Sequence, residues 1–302
     1  LAASAYSASE REQVAQAAHA RAELFPPPDV PARLVGLGFR GVNVTGAQAI
    51  LPPLIPVAAG PFLMGSDKAR DPQAYDDELP QRSVELAAFQ IGKYPVTVAE
   101  YALAVRAGAV REPPAAGNVA WQTQLRHPDH PAVNVSWQDA TAYVAWLREV
   151  TGRPEWRLPS EAQWEKASRW DAGRKVSRIY PWGDNFDKNR CNTSESGVKT
   201  TTPIGSYPAS DARRSGASPW GAEDMAGNVW EWTSSLYKPY PYTVTDGRED
   251  QDSTENRTLR GGSWYNGARF ARAAYRNDVF RWVNFVNYLG FRLALSPVLT
   301  GS

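Results

Sequence analysis

The sequence predicts a loop-rich α+β fold, with helices first and irregular β structure after them, and three observations predict it. Composition is the first: 12 Trp, 24 Pro and 23 Gly in 302 residues favour turns and ordered loops pinned by large rings over long regular elements. The second is a set of helix starts headed by Thr or Ser in the middle of the chain. The third is the last ~130 residues, where turn chemistry and short apolar runs replace helical periodicity.

Ser9 to Leu24 reads as a short helix stopped by Pro26-Pro27-Pro28, which cannot continue it. Residues 29–56 are short apolar runs broken by Gly and Pro, so residues 1–57 are expected to be a connector and 58–302 the folded domain. The chain opens Leu1-Ala2-Ala3-Ser4, without Met or a secretory leader, and is read as a trimmed start with an upstream domain before it. Gly60 to Ser66 reads as a strand entering a turn, and Ser83–Leu86 with Phe89–Ile91 as alternating strand. Thr97 then caps a helix, with Glu100 completing a capping box, and Ser136 with Asp139 opens a second whose Ala142, Tyr143, Trp146 and Leu147 share one face. Arg157 to Glu165 closes the helical half with another Pro and cap.

Charge and composition exclude several functions. A net charge of +1 with interspersed signs gives no electrostatic footprint for nucleic acid. No stretch approaches the ~20 apolar residues of a membrane span. Cys191 is the single cysteine, which rules out an intrachain disulfide and a Cys-rich zinc site and favours a reducing, cytoplasmic setting. With only His19, His127 and His130 available, a multi-histidine metal centre would consume all three from distant segments.

Eight segments, in order over residues 60–295, carry a resemblance: Phe62–Ser66, Tyr94–Thr97, Pro131–Ala140, Arg157–Glu165, Tyr180–Gly183, Gly227–Trp232, Arg260–Trp264 and Gly290–Arg292. Together they resemble the sulfatase-modifying-factor family, whose best-known member is the formylglycine-generating enzyme. The resemblance implies a C-type lectin fold with small twisted antiparallel sheets, two flanking helices and much ordered loop, often with bound calcium. Trp137, Trp146, Trp164, Trp182 and Trp264 are expected to be core rings that pin the loops.

The resemblance also implies two structural calcium sites. One would use the Asp224 and Glu231 side chains with the Gly227 and Val229 carbonyls, two carboxylates around a Gly turn offering the oxygen ligands that calcium takes. The other would use Asn192, the Thr193 carbonyl, Ser196 in place of the family's acid, and the Val198 carbonyl.

Formylglycine generation in the family needs a pair of thiols near the Gly-Gly-Ser motif, and Arg260 to Phe270 holds none. Relatives in thiol-imidazole biosynthesis bind iron through three histidines, and the N-terminal part here offers His19 alone. The segment 265–288 has a different character. Between the frame residues Ala268, Arg269, Ala271–Ala274, Arg276 and Arg281 stand Tyr265, Asn266, Gly267, Phe270, Tyr275, Asn277, Asp278, Val279, Phe280, Trp282, Val283, Phe285, Val286 and Tyr288. The pattern resembles the variable region of proteins diversified by retroelements, in which AAC asparagine codons mutate at adenines; Trp282 departs from it. Rigid aromatics with adaptable Asn neighbours also suit a paratope. The expectation is therefore a non-catalytic protein displaying this surface to a protein or cell-surface ligand, with Arg269, Arg272, Arg276 and Arg281 as structural supports. The runner-up is a modifying enzyme of the same family acting on a peptide-like substrate, and a carbohydrate-binding module comes third.

Overall fold

A computed structural model of the protein describes residues 28–44, 46–117, 119–243, 245–279 and 286–296. The helix expected over Ser9–Leu24 lies outside the described residues. The described chain enters through a short helix, α1 (Ala32–Gly36), and a hairpin of β1 (Arg40–Val44) and β2 (Ala47–Leu51), with Arg40 opposite Leu51. Leu34, Phe39, Ala49 and Ile50 are buried in the same cluster as Tyr94, Tyr101 and Trp230. The division expected at residue 57 is therefore not a break in packing: the supposed connector contributes side chains to the main core.

The middle of the chain is helical, as its caps predict. In α2 (Val98–Arg106), Thr97 Oγ1 accepts from Glu100 N while the Glu100 carboxylate accepts from Thr97 N, satisfying donors that the first turn leaves free. After the single turn α3 (Trp121–Gln124), Ser136 and Asp139 repeat the reciprocal cap at the head of α4 (Trp137–Thr151), which ends at Gly152 in the left-handed region. Tyr143, Val144, Trp146, Leu147 and Val150 line the buried side of α4. The sequence reading stopped the helical half at Arg157–Glu165; Ser160 instead caps a further helix, α5 (Glu161–Arg169), with Gln163 as its partner.

Small sheets surround these helices. One has the antiparallel order β3 (Leu54–Val57), β6 (Phe89–Gly92), β14 (Ala294–Leu295), β7 (Trp156–Arg157). The hairpins β4 (Gly60–Met64) with β5 (Arg82–Leu86) and β8 (Trp170–Asp171) with β9 (Val176–Ser177) stand apart from it. The sheet that carries the C-terminal surface runs β12 (Asn277–Val279), β11 (Arg257–Arg260), β10 (Trp230–Leu236), β13 (Leu289–Phe291), with β13 parallel to β10. Two indole hydrogen bonds tie it to α4: Trp137 Nε1 donates to Thr233 O at 2.9 Å and Trp232 Nε1 to Val135 O at 2.8 Å. This is the loop-rich α+β architecture the sequence predicts.

Trp137, Trp146 and Trp164 are buried as expected, whereas Trp182 and Trp264 are only half-buried. Each of the latter pair pins its loop from outside: Trp182 stacks on Tyr180 and donates to Asn185 O, and Trp264 sits against Tyr265 and Tyr288.

Arginines hold the C-terminal loops from within. Arg272 reaches Glu78 at 2.6 Å and Asp71 at 2.7 Å, and Arg276 grips Glu161 at 2.6 and 3.0 Å. Arg260 bridges Glu165 at 2.6 Å and Glu161 at 3.0 Å. All these side chains are essentially buried, so each carboxylate depends on its guanidinium to offset desolvation. Arg269 differs: it is exposed and lies 3.8 Å over the Tyr75 ring. Arg281 lies outside the described residues.

Candidate functional site

The site is built around the turn that leaves β11. Gly261 and Gly262 both take positive φ, and a Cβ on Gly262 would stand 2.8 Å from Phe270 O, so the turn needs glycine there. It leaves Ser263 buried beside Trp230 of β10 and delivers Trp264, Tyr265 and Asn266 to the surface.

Asn266 is held in one orientation. Its Oδ1 accepts from Trp230 Nε1 at 2.8 Å and from Ser263 Oγ at 2.6 Å. An indole N–H only donates, so the amide oxygen must face it and Nδ2 must take the other side. Two aromatic groups flank this amide. In the first, Tyr275 lies 5.8 Å from Trp230, 5.1 Å from Phe270 and 5.4 Å from Tyr75, the last two edge-on. In the second, Tyr265 and Tyr288 stack at 5.4 Å with planes 4° apart, both edge-on to Trp264. Tyr265 is 63% exposed; Asn266, Gly267, Phe270, Tyr275, Asn277, Asp278, Val286 and Tyr288 are half-buried. Phe270, Tyr275, Val286 and Tyr288 also pack against the main core, so they serve as walls as well as surface. Asn277, Asp278 and Val279 form β12, and Asp278 Oδ2 accepts from Asn256 Nδ2 at 2.6 Å. Phe280, Trp282, Val283 and Phe285 lie outside the described residues.

The two sets of expected calcium ligands brace this turn. Asn192 O accepts from Asn228 N at 2.7 Å, joining the loops, and a Cβ on Gly227 would meet Asn192 O at 2.3 Å. Asn266 O in turn accepts from Ser194 N at 2.9 Å, Glu195 Oε1 from Ala268 N at 2.8 Å, and Gly261 O from Gly227 N at 2.7 Å.

The donor chemistry differs between the sets. Asp224 is buried and sits at φ 57°, and its Oδ2 accepts from Gly205 N. Burial first, then the charges of Glu223 and Glu231, push its carboxyl up to about 7 against the pull of Gly205 N and Arg292. A buried carboxylate without a full counter-charge fits a cation. Glu231 is already neutralised, by Arg292 at 2.6 and 2.7 Å, and also accepts from Trp164 Nε1, leaving it about one free lone-pair direction. Gly227 O accepts from Val229 N. The first set thus fits a calcium ion through Asp224, the remaining Glu231 position and the Gly227 and Val229 carbonyls. The second set does not: Ser196 Oγ bonds Asn192 Oδ1 at 3.0 Å, all four groups are neutral, and Val198 is exposed.

Redox ligands are a separate matter. Among the described residues there is no group of three His, Cys, Asp or Glu that could hold a metal ion. His127 and His130 stand with ring centres 4.9 Å apart. Cys191 is buried, and desolvation pushes its thiol up to about 12, so it fits neither a copper-binding thiol pair nor a nucleophile. Two concavities lie away from the Asn266 surface, an apolar groove of about 280 Å³ between α2 and residues 28–31 and an open depression of about 430 Å³ around Trp182 and Arg190. Neither contains a predicted site residue.

Residues 41–297 match the sulfatase-modifying factor enzyme 1-like domain. The chain belongs to that family. Hercynine oxygenase of Mycolicibacterium thermoresistibile is 34% identical over 78% of this chain and 59% of its own length. Formylglycine-generating enzyme of Streptomyces coelicolor is 32% identical over 68% of this chain and 76% of its own length. Among solved structures, Treponema denticola variable protein 1 aligns with a TM-score of 0.60 and 20% identity, over 89% of this chain and all of that one. At that identity the likeness speaks for the shared C-type lectin fold alone.

These relatives correct the expectation of a non-catalytic, retroelement-diversified display protein, because the relatives at 33–34% identity are named hercynine oxygenase and others formylglycine-generating enzyme, although a mouse relative at 31% is named an inactive formylglycine-generating enzyme. The error has two physical sources. Alternating Asn and aromatic residues were read as exposed display, yet Phe270, Tyr275, Val286 and Tyr288 pack on the core. Missing thiols and histidines were counted as missing chemistry, although the chain spans under three-fifths of the hercynine oxygenase it matches. Sequence reasoning also missed Trp230, Ser263, Tyr75 and Glu195 as site residues. Ser263 was findable, since it stands inside the Arg-Gly-Gly-Ser-Trp motif; Tyr75 is two hundred residues from its ring partner Tyr275 and gave no local signal.

Proposed function

We propose that this chain is the substrate-binding domain of an oxygen-dependent modifying enzyme acting on a small peptide-like or amino-acid-derived substrate. The observation that carries this reading is the fixed Asn266 amide between two aromatic groups, in a chain whose relatives include proteins named hercynine oxygenase and formylglycine-generating enzyme. Rings and an oriented amide bind and position a substrate; they do not activate oxygen. The thiol-based reaction does not fit the described residues, so the oxygenase branch is favoured, with its metal ligands supplied from outside them. Calcium at Asp224 and Glu231 is the structural ion of this reading, stiffening the loop that supports Asn266.

The test is mass spectrometry of reactions containing the protein, air, ferrous or cupric ion, a small cysteine-type thiol as co-substrate and reductant, and either hercynine or a cysteine-containing peptide. Oxygen-dependent conversion of hercynine supports the reading. Conversion of the cysteine peptide alone moves the chain to the formylglycine branch, and conversion of neither with either metal refutes the proposal.

A further inference from the structure

The orientation of Asn266 has chemical content beyond the general reading, on which the following inference rests. Trp230 and Ser263 both point donors at Oδ1, which commits the amide oxygen inward. The backbone of Asn266 is also used, with N donating to Ser263 O at 3.0 Å and O accepting from Ser194 N. The two Nδ2 hydrogens have no partner among the described residues, and the side chain is half-buried. The amide cannot usefully rotate. A half-turn would set the Nδ2 hydrogens against the Trp230 N–H, two donors face to face, and lose the Oδ1 bonds. Neighbouring contacts make the position firm: Ser194 and Glu195 hold residues 266–268 from one side, and Arg272 holds the following segment through Asp71 and Glu78.

We propose that Asn266 is a specificity-determining residue whose Nδ2 hydrogens donate to an acceptor oxygen of a ligand lying over the half-buried Phe270 and Tyr275 rings. The shared chemistry is a planar ligand bearing a carbonyl or carboxylate oxygen next to an aromatic or aliphatic side group. A ligand that presents a cation or an N–H donor at this point is rejected, because the donor hydrogens already face outward. Asn266 touches the ligand rather than the reacting bond, so the assignment is one of recognition.

Two probes test this in the intact protein by ¹H–¹⁵N NMR titration: N-acetyl-L-phenylalanine, which offers a carboxylate, and its C-terminal amide, which offers neutral carbonyls only. In the wild type, saturation with a binding probe shifts the Asn266 side-chain amide and the Trp230 indole signal, the latter assigned with Trp230→Phe. Asn266→Ala weakens binding about tenfold, one hydrogen bond's worth. Asn266→Asp keeps an oxygen facing Trp230 but turns an oxygen outward; it weakens the carboxylate probe by well over tenfold and the amide probe about as much as Ala does. A carboxylate source is indicated if only the acid binds, and a carbonyl source if both bind alike.

The inference is overturned if Asn266→Ala and Asn266→Asp bind as the wild type does, or if neither probe binds at millimolar concentration. It is also overturned if a bound probe leaves the Asn266 amide signals unmoved, a readout that needs no variant to fold. Failure of turnover in the mass-spectrometric assay, with these binding results intact, would refute the enzyme reading and leave Asn266 as a recognition residue.

Discussion

Replacing Asp224 by Asn separates a cation site from an ordinary buried carboxyl. The folded protein holds this carboxyl at about 7 in place of 3.8. Because the folded value is the higher one, the group's contribution to stability is fully present below about pH 4 and is lost as pH rises through 7. At about 1.4 kcal/mol per tenfold change in proton affinity, ionised Asp224 costs the calcium-free fold at most about 4 kcal/mol at pH 8. Asparagine keeps an acceptor for Gly205 N, tolerates the left-handed backbone at this position, and never ionises. Urea denaturation in chelator should therefore find Asp224→Asn more stable than the wild type at pH 8, by up to about 4 kcal/mol, and close to it at pH 4. Glu100, pushed up to about 8 by burial, titrates in both proteins and cancels in the difference. Calcium should then raise the wild-type midpoint, more at pH 8 than at pH 5.5 where protons compete, and leave the variant where it was. A variant that is less stable than the wild type in chelator at pH 8, or that responds to calcium equally, refutes the reasoning.

Other consequences follow from the same geometry. Arg272→Met strips the counter-charge from buried Glu78 and Asp71 and should cost about 3–5 kcal/mol in chemical denaturation, since removing one partner of a buried pair leaves a bare charge. Trp230→Phe keeps the ring but deletes the donor to Asn266; a loss of about 1 kcal/mol in stability with a weakened response to N-acetyl-L-phenylalanine is expected, by thermal melt and NMR titration. Native Cys191 should resist iodoacetamide at pH 8 and become alkylated in urea, read by intact mass, and Cys191→Ala should leave turnover unchanged.

What the sequence made legible was local. Thr97 with Glu100 and Ser136 with Asp139 announce their helices because cap and partner are three residues apart and need nothing distant. The eight ordered motifs carried the fold. Long-range pairings were not legible: Glu231 was read as half of a calcium pair, and its neutralising partner, Arg292, stands 61 residues away. The Asn266 amide was placed on the ligand surface by its neighbours, but its orientation depends on Trp230, 36 residues earlier. Buried arginine was foreseen for Arg272 and Arg276 because the segment needed internal supports; their acidic partners lie 115–201 residues away and could not be named.

The most direct measurement of the central claim is product mass from hercynine incubated with this protein, ferrous ion, a small cysteine-type thiol and air, run beside Asn266→Asp. The account predicts oxygen-dependent product with the wild type and a sharp loss in the variant at unchanged melting temperature. Equal product from both proteins would contradict the assigned site, and its absence from every reaction, cysteine peptide included, would contradict the enzyme.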